Sequence, residues 1–219
     1  QRCASLVDKW ATRLQLPKQR ALDIGCAVGG STFELGRSYE RVVGVDLSSS
    51  FIDAARRMQV EGEARYFRRD QGELGETCVA QLEPPAAEVH FERADACALP
   101  TDLGGFDACL LANLLCRLPD PTACLQRLGG PDGLVKPGGL AVVVSPYTWM
   151  EEHTPKATWL GGFKGPDGQP VFTDEALRAA FAENGFELLD EEDMPLLIRE
   201  HERKYQLIVS HAMVFRRLQ

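Results

Sequence analysis

Three carboxylates set the chemistry this sequence offers. Asp23 stands inside Ala21-Leu22-Asp23-Ile24-Gly25-Cys26-Ala27-Val28-Gly29-Gly30, an apolar run that ends in a turn of small residues. Small side chains at such a turn let a ligand approach the backbone closely. Asp46 closes a second apolar run, Val42-Val43-Gly44-Val45-Asp46, and Asp95 follows a third within Ala94-Asp95-Ala96. An acidic residue after the second strand of a nucleotide-binding α/β unit accepts hydrogen bonds from ribose hydroxyls. A carboxylate after the third strand can accept from an adenine amino group, and one in the first turn suits an ammonium. Taken singly, each has a plainer use: Asp95 as a helix N-cap, the glycine turn as an ordinary strand-to-helix connection. Taken together they describe a pocket for an adenosyl group that carries a cationic amino acid.

A dinucleotide uses similar geometry, and spacing separates the two. The pyrophosphate site reads G-x-G-x-x-G, because its second glycine brings backbone amides onto the phosphates. Here that place is Ala27, the glycines read G-x-x-x-G, and Asp23 sets a negative charge where a pyrophosphate is unwelcome.

For the carboxylates to converge, strands and helices must alternate. β-rich runs lie at Arg20 to Ile24, Arg41 to Asp46, Val89 to Arg93, Asp107 to Ala112 and Leu140 to Ser145. Helical stretches lie at Gly30 to Arg37, Ser49 to Met58, Pro121 to Leu128 and Thr173 to Asn184, the last with Thr173 as N-cap and Gly185 as stop. This order predicts an α/β, doubly wound, mostly parallel sheet. Phe186 to Asp190 and Tyr205 to Arg217 are β-type without a helix between them, which predicts a terminal antiparallel hairpin and seven strands in all. Residues 61–88 form an insertion of uncertain local structure, and 146–171 an aromatic-rich loop placed to cover a substrate.

Composition narrows the partners. A formal charge of −8 argues against a nucleic-acid or anionic-membrane surface and leaves a small molecule as the expected partner. The seven cysteines are scattered without C-x-x-C spacing, and the four histidines lack ligand spacing, so neither a disulfide framework nor a metal site is expected. No apolar run reaches the roughly 20 residues of a membrane span, and no secretory layout opens the chain. The expectation is one cytoplasmic domain, 1–219.

The segments Leu22-Asp23-Ile24-Gly25-Cys26-Ala27-Val28-Gly29, Val43-Gly44-Val45-Asp46, Asp95-Ala96, Phe106-Asp107 and Leu134-Val135-Lys136-Pro137-Gly138-Gly139-Leu140 follow one another in the order of a known pattern. Over residues 20–145 the sequence resembles the class I S-adenosylmethionine-dependent methyltransferases, a Rossmann-like fold whose last strand is antiparallel. Ala27 departs from the glycine frequent there. The resemblance implies S-adenosyl-L-methionine as cofactor and S-adenosyl-L-homocysteine as product. It implies a cofactor set of Asp23, Gly25, Cys26, Ala27, Gly29, Asp46, Leu47, Asp95, Ala96 and Asn113.

A narrower resemblance rests on Ser145-Pro146-Tyr147-Thr148-Trp149, Thr154-Pro155-Lys156, Trp159-Leu160-Gly161-Gly162, Met194-Pro195, Ile198-Arg199-Glu200-His201 and Lys204-Tyr205-Gln206. These residues are similar to the N-methyltransferases of ovothiol biosynthesis, which methylate an imidazole nitrogen of 5-thiohistidine in the last step to ovothiol A. That family often carries the domain behind an iron-dependent sulfoxide synthase, so the resemblance implies an ovothiol synthase domain in the same or a separate chain. Such an acceptor needs positioning above all: a group for its carboxylate, one for its ammonium, and one to fix the ring tautomer. The candidates are Asn113, Arg117, Tyr147, Trp149, Glu151, Arg199, His201 and Lys204. Tyr147 and Trp149 would serve equally to pack their loop, and Arg199 to Lys204 to form a solvated face. Two other readings stand beside this one: a class I enzyme acting on another small metabolite, and a catalytically silent S-adenosylmethionine-binding module.

Overall fold

The computed structural model describes all residues from Gln1 to Gln219. Helix α1 (Arg2–Arg13) buries Leu6, Val7, Trp10 and Ala11 along one face. There follow β1 (Arg20–Ile24), α2 (Gly30–Leu35), β2 (Arg41–Asp46), α3 (Ser49–Glu61), β3 (Glu63–Gln71), β4 (Leu74–Gln81), β5 (Glu88–Arg93) and β6 (Phe106–Ala112). The chain then forms α4 (Pro121–Gln126), β7 (Val135–Ser145), the short pair β8 (Phe163–Lys164) and β9 (Pro170–Val171), α5 (Thr173–Glu183), β10 (Phe186–His201) and β11 (Lys204–Arg217).

Seven strands form one sheet in the order β5-β2-β1-β6-β7-β11-β10. Neighbours from β5 to β7 run parallel, and β11 is antiparallel to both β7 and β10. The strand order reverses between β1 and β6. At such a switch point the loops after neighbouring strands part in opposite directions and open a crevice at the carboxyl ends.

Side chains alternate across the sheet and divide the core in two. Ala21, Val42, Leu110 and Val142 pack with Phe33, Trp10 and Ile52 under α1 to α3. Leu22, Ile24, Leu111 and Val143 pack with Leu125, Leu177 and Phe181 under α4 and α5. Phe181 lies flat on Phe215 with ring centroids 3.8 Å apart, which ties α5 to β11. At the amino edge, Asp107 is buried and accepts the Gln19 and Arg20 amides and the Lys136 ammonium. It satisfies the start of β1, a structural task far from the carboxyl ends.

The expected architecture is the observed one, with three differences. The 61–88 insertion is an antiparallel hairpin, β3–β4, whose two-residue turn places Gly72 at φ +55°. Strand β10 does not stop at Asp190 but continues to His201, so the charged stretch from Arg199 to Lys204 is the tip of a long ribbon. Thr173 is the first residue of α5 instead of its N-cap, a place Phe172 takes, because the Thr173 hydroxyl accepts the Trp149 indole N–H at 2.9 Å. No helix is long and apolar enough to cross a membrane.

Candidate active site

The first strand ends by bending toward the second. The Gly25 and Cys26 amides both donate to the Val45 carbonyl, at 2.8 and 3.0 Å. Gly25 (φ +77°) and Gly29 (φ +88°) sit in the left-handed region, and a Cβ at either would stand 2.7 Å from a side-chain carbon, of Leu114 and Phe91 respectively. Here glycine is a requirement of both conformation and space. Ala27 is left-handed as well, at φ +47°. Its amide donates to Asp46 Oδ2 at 2.9 Å, while the Ser48 amide donates to Oδ1 at 2.9 Å. The amide that a pyrophosphate would need is therefore engaged by a carboxylate, which disfavours a dinucleotide and suits a cationic ligand.

Beside this turn lies a cavity of 370 Å³, within the range of small-molecule sites. Gly25, Ala27, Asp46, Leu47, Asp95, Ala96 and Asn113 all line it. Asp95 Oδ1 accepts the Cys97 amide at 2.9 Å, and the residue is exposed. The sequence reading missed the apolar wall: Phe51, Leu114, Leu118 and Pro119. Phe51 follows a serine-capped helix start and is 46% exposed, an aromatic face open to a planar base. Leu114 and Leu118 follow β6 in a loop whose conformation sequence pattern does not fix.

Asp23 and Cys26 lie behind the lining. Asp23 is 1% exposed and accepts the Thr32 hydroxyl at 2.7 Å. Burial, reinforced by the nearby Asp46 and opposed by Thr32, pushes its carboxyl up to about 6. The Cys26 thiol is buried in the α1-side core, and burial with the Asp23 and Asp46 charges pushes it up to about 12, so this residue offers backbone and not a nucleophile.

The acceptor candidates separate into three places. Asn113 and Arg117 border the cavity, and Arg117 Nη1 donates to the Thr148 carbonyl at 3.0 Å, joining the loops after β6 and β7. Tyr147 and Trp149 are not among the residues that line it. The Tyr147 hydroxyl lies 2.6 Å from His211 Nδ1, and the Trp149 ring stacks on Trp159 with centroids 6.3 Å apart. Glu151 is exposed in the turn that follows. Arg199, His201 and Lys204 lie at the ribbon tip, where Arg199 meets Asp70 of β3 at 3.2 Å. Lys204 is six residues from Ser210, the residue that touches Asn113, a separation of roughly 20 Å along an extended strand.

Loop 146–171 is fastened to the cavity wall through Thr154 Oγ1 on the Leu118 carbonyl and Thr158 Oγ1 on the Pro119 carbonyl, each at 2.8 Å. The cavity thus combines two carboxylates, Asp46 and Asp95, an apolar wall of Phe51, Leu114, Leu118 and Pro119, and the exposed Asn113.

This strand order, with one antiparallel strand beside the edge and carboxylates at successive carboxyl ends, is that of the class I S-adenosylmethionine-dependent methyltransferases. The family model described as a methyltransferase domain matches residues 1–191, and the chain belongs to that family. An O-methyltransferase, cnsE, of Penicillium expansum is 25% identical over 83% of this chain and 56% of its own length. The ubiquinone biosynthesis O-methyltransferase of Xanthomonas campestris pv. campestris is 29% identical over 61% of this chain and 45% of its own. The chain thus spans about half the length of these curated relatives. The fold is similar to that of a crystallised SAM-dependent methyltransferase of Methanosarcina mazei, with a TM-score of 0.62 at 18% identity over 94% of this chain and 96% of that one.

Proposed function

We propose that this domain transfers the methyl group of S-adenosylmethionine to an imidazole nitrogen of 5-thiohistidine. When bound, the cofactor supplies an electrophilic methyl on a sulfonium. The observation that carries the cofactor assignment is the pairing of Asp46 and Asp95 across one apolar-walled cavity beside the Gly25–Gly29 turn. Asp46 holds the ribose hydroxyls with the lone pairs its two amide bonds leave free, and Asp95 takes the adenine amino group. Phe51, Leu114 and Leu118 pack the base, and Asp23 acts on the ammonium from beneath the turn.

The acceptor assignment rests on the ovothiol-type residues between Ser145 and Gly162 and between Met194 and Gln206. The cavity lining agrees with it. Its ionisable side chains are Asp46, Asp95 and Arg117, with no imidazole, amine or phenol to serve as a base. An imidazole nitrogen in the right tautomer already owns its lone pair, so placement suffices. A hydroxyl acceptor is the second reading, favoured by the names of the curated relatives, and it would need a proton acceptor supplied from outside this lining.

The test is mass spectrometry of the purified protein with S-adenosylmethionine and 5-thiohistidine, histidine serving as the unthiolated control. A singly methylated product from thiohistidine alone supports the proposal. Methylation of hydroxyl acceptors instead supports the second reading. Tight S-adenosylhomocysteine binding without transfer to any acceptor supports a silent binding module.

A further inference from the structure

Two of the strained backbone positions at the carboxyl edge are held by adjacent residues of a single strand. Asn113 follows β6 and Tyr147 follows β7, each at φ +55°. Asparagine tolerates this region, whereas for a bulky residue it is an outlier that the surroundings must impose. On β11, Ser210 and His211 point to opposite faces. Ser210 Oγ donates to Asn113 Oδ1 at 2.9 Å, and His211 Nδ1 lies 2.6 Å from the Tyr147 hydroxyl. His211 stands opposite Ser145 in the sheet, so this short piece of β11 fastens the chain after its neighbour β7 and, across it, the chain after β6.

The Ser210 contact also sets what Asn113 offers. Ser210 is fully buried, and Asn113 Oδ1 is the one acceptor its side chain has. Turning the carboxamide round would set its amino group against the serine oxygen and leave a buried hydroxyl hydrogen without a partner, at a cost of about 1–3 kcal/mol. The oxygen therefore faces Ser210. Asn113 Nδ2 has no partner within the protein, and Asn113 is an exposed residue that lines the cavity.

We infer that Ser210 is a positioning residue that makes Asn113 present N–H donors to an anionic group of the methyl acceptor, a carboxylate or a thiolate. This rests on the proposed reading of the cavity as a methyl-transfer site. It explains why a serine is buried at a point where the ribbon leaves the sheet, and why its partner lies 97 positions earlier in the chain. It also selects acceptors: one with only a donor group toward Asn113 would leave the amide unsatisfied and bind poorly.

The sequence contains two asparagines, Asn113 and Asn184, and the second donates from Nδ2 to the Leu125 carbonyl at 2.7 Å. Protein labelled with ¹⁵N at asparagine alone therefore shows two side-chain amide pairs, one reporting the site and one serving as a fold control. In Ser210→Ala with S-adenosylhomocysteine bound, the Asn113 pair should move or broaden while the Asn184 pair stays. With the acceptor, kcat should fall roughly tenfold, the scale of misplacement, with cofactor affinity held within about twofold. Ser210→Thr should restore the signal and most of the rate. Thiohistidine should shift the Asn113 pair in the wild type; histidine and a decarboxylated thiol analogue then tell which anion it meets. An Asn113 signal and kcat indifferent to Ser210→Ala would overturn the inference, as would an Asn113 pair that answers to the cofactor and not to any acceptor. Failure of the wild type to methylate thiohistidine would refute the proposed acceptor, while the spectra of the two proteins still decide the amide's orientation.

Discussion

Asp23→Asn separates the charge of the buried carboxyl from its shape. Asp23 is 1% exposed and bonded to Thr32, and burial first, then Asp46, raises it from an ordinary 3.8 to about 6. Between those two values the folded protein binds a proton that the unfolded chain has released. The contribution of Asp23 to stability is therefore fully present below about pH 4, falls as pH rises, and is lost above about 6. At 1.36 kcal/mol for each tenfold in proton affinity, the whole change is about 3 kcal/mol. Urea unfolding of wild type and variant at pH 4, 5, 6 and 7.5 would measure it. Taking wild type minus variant removes the titration of other groups, and that difference should fall by about 3 kcal/mol across the range. The amide introduces an unpartnered NH₂, but its cost is constant in pH, so the slope is the readout. The same reasoning reaches the ligand: an ammonium near Asp23 relieves the cost of its charge, so saturating S-adenosylhomocysteine should flatten the slope. A difference already flat without ligand would refute the claim that Asp23 ionises at a penalty, and with it the electrostatic route from this residue to the ammonium.

Asp46→Ala should weaken S-adenosylhomocysteine binding by roughly 1–3 kcal/mol, the worth of hydrogen bonds to a charged group; unchanged calorimetric affinity would remove Asp46 from the ribose role. Gly25→Ala places a methyl 2.7 Å from Leu114 in a left-handed backbone and should lower Tm by several degrees while reducing cofactor affinity, both readable in a thermal shift series with ligand. Tyr147→Phe removes the 2.6 Å contact with His211 and should slow transfer to the acceptor more than it weakens the cofactor; the reverse pattern would place Tyr147 on the cofactor side.

The parallel half of the fold was legible because its signals are local. Each of the first strands is a short apolar run stopped by a glycine turn or a carboxylate, and α3 is announced by Ser48, whose hydroxyl accepts the Phe51 amide. The two hairpins were harder for a common reason. In β3 the residues Tyr66 and Phe67 are adjacent and both about half exposed, so neither period nor burial marks one face. In β10 the acidic run Asp190 to Asp193 reads as a strand end, yet it belongs to an edge strand: Asp190 accepts the Trp10 indole N–H, and the exposed Glu191, Glu192 and Asp193 guard the open side.

The site divides in the same way, and the division shows what kind of information a sequence withholds. Asp46 reaches Ala27 across 19 positions, a span set by one β-α-β unit, so motif spacing finds the cofactor side. On the proposed acceptor side the contacts join Asn113 to Ser210 and Tyr147 to His211 across 97 and 64 positions. Nothing local to Ser210 distinguishes it from any buried serine in a strand. Its meaning arises only when the antiparallel return of β11 along β7 brings it within hydrogen-bond reach of Asn113, the residue after β6. Conversely, Tyr147 and Trp149 looked like acceptor contacts because aromatic residues after a strand end are placed to meet a ligand. In the folded chain their polar atoms are engaged by His211 and Thr173, so they help set the conformation of their loop, while the proposed donor to the acceptor, Asn113, is placed by β11. Specificity toward the acceptor should therefore follow changes in β11 and in the loop after β6 more closely than changes in the aromatic loop itself.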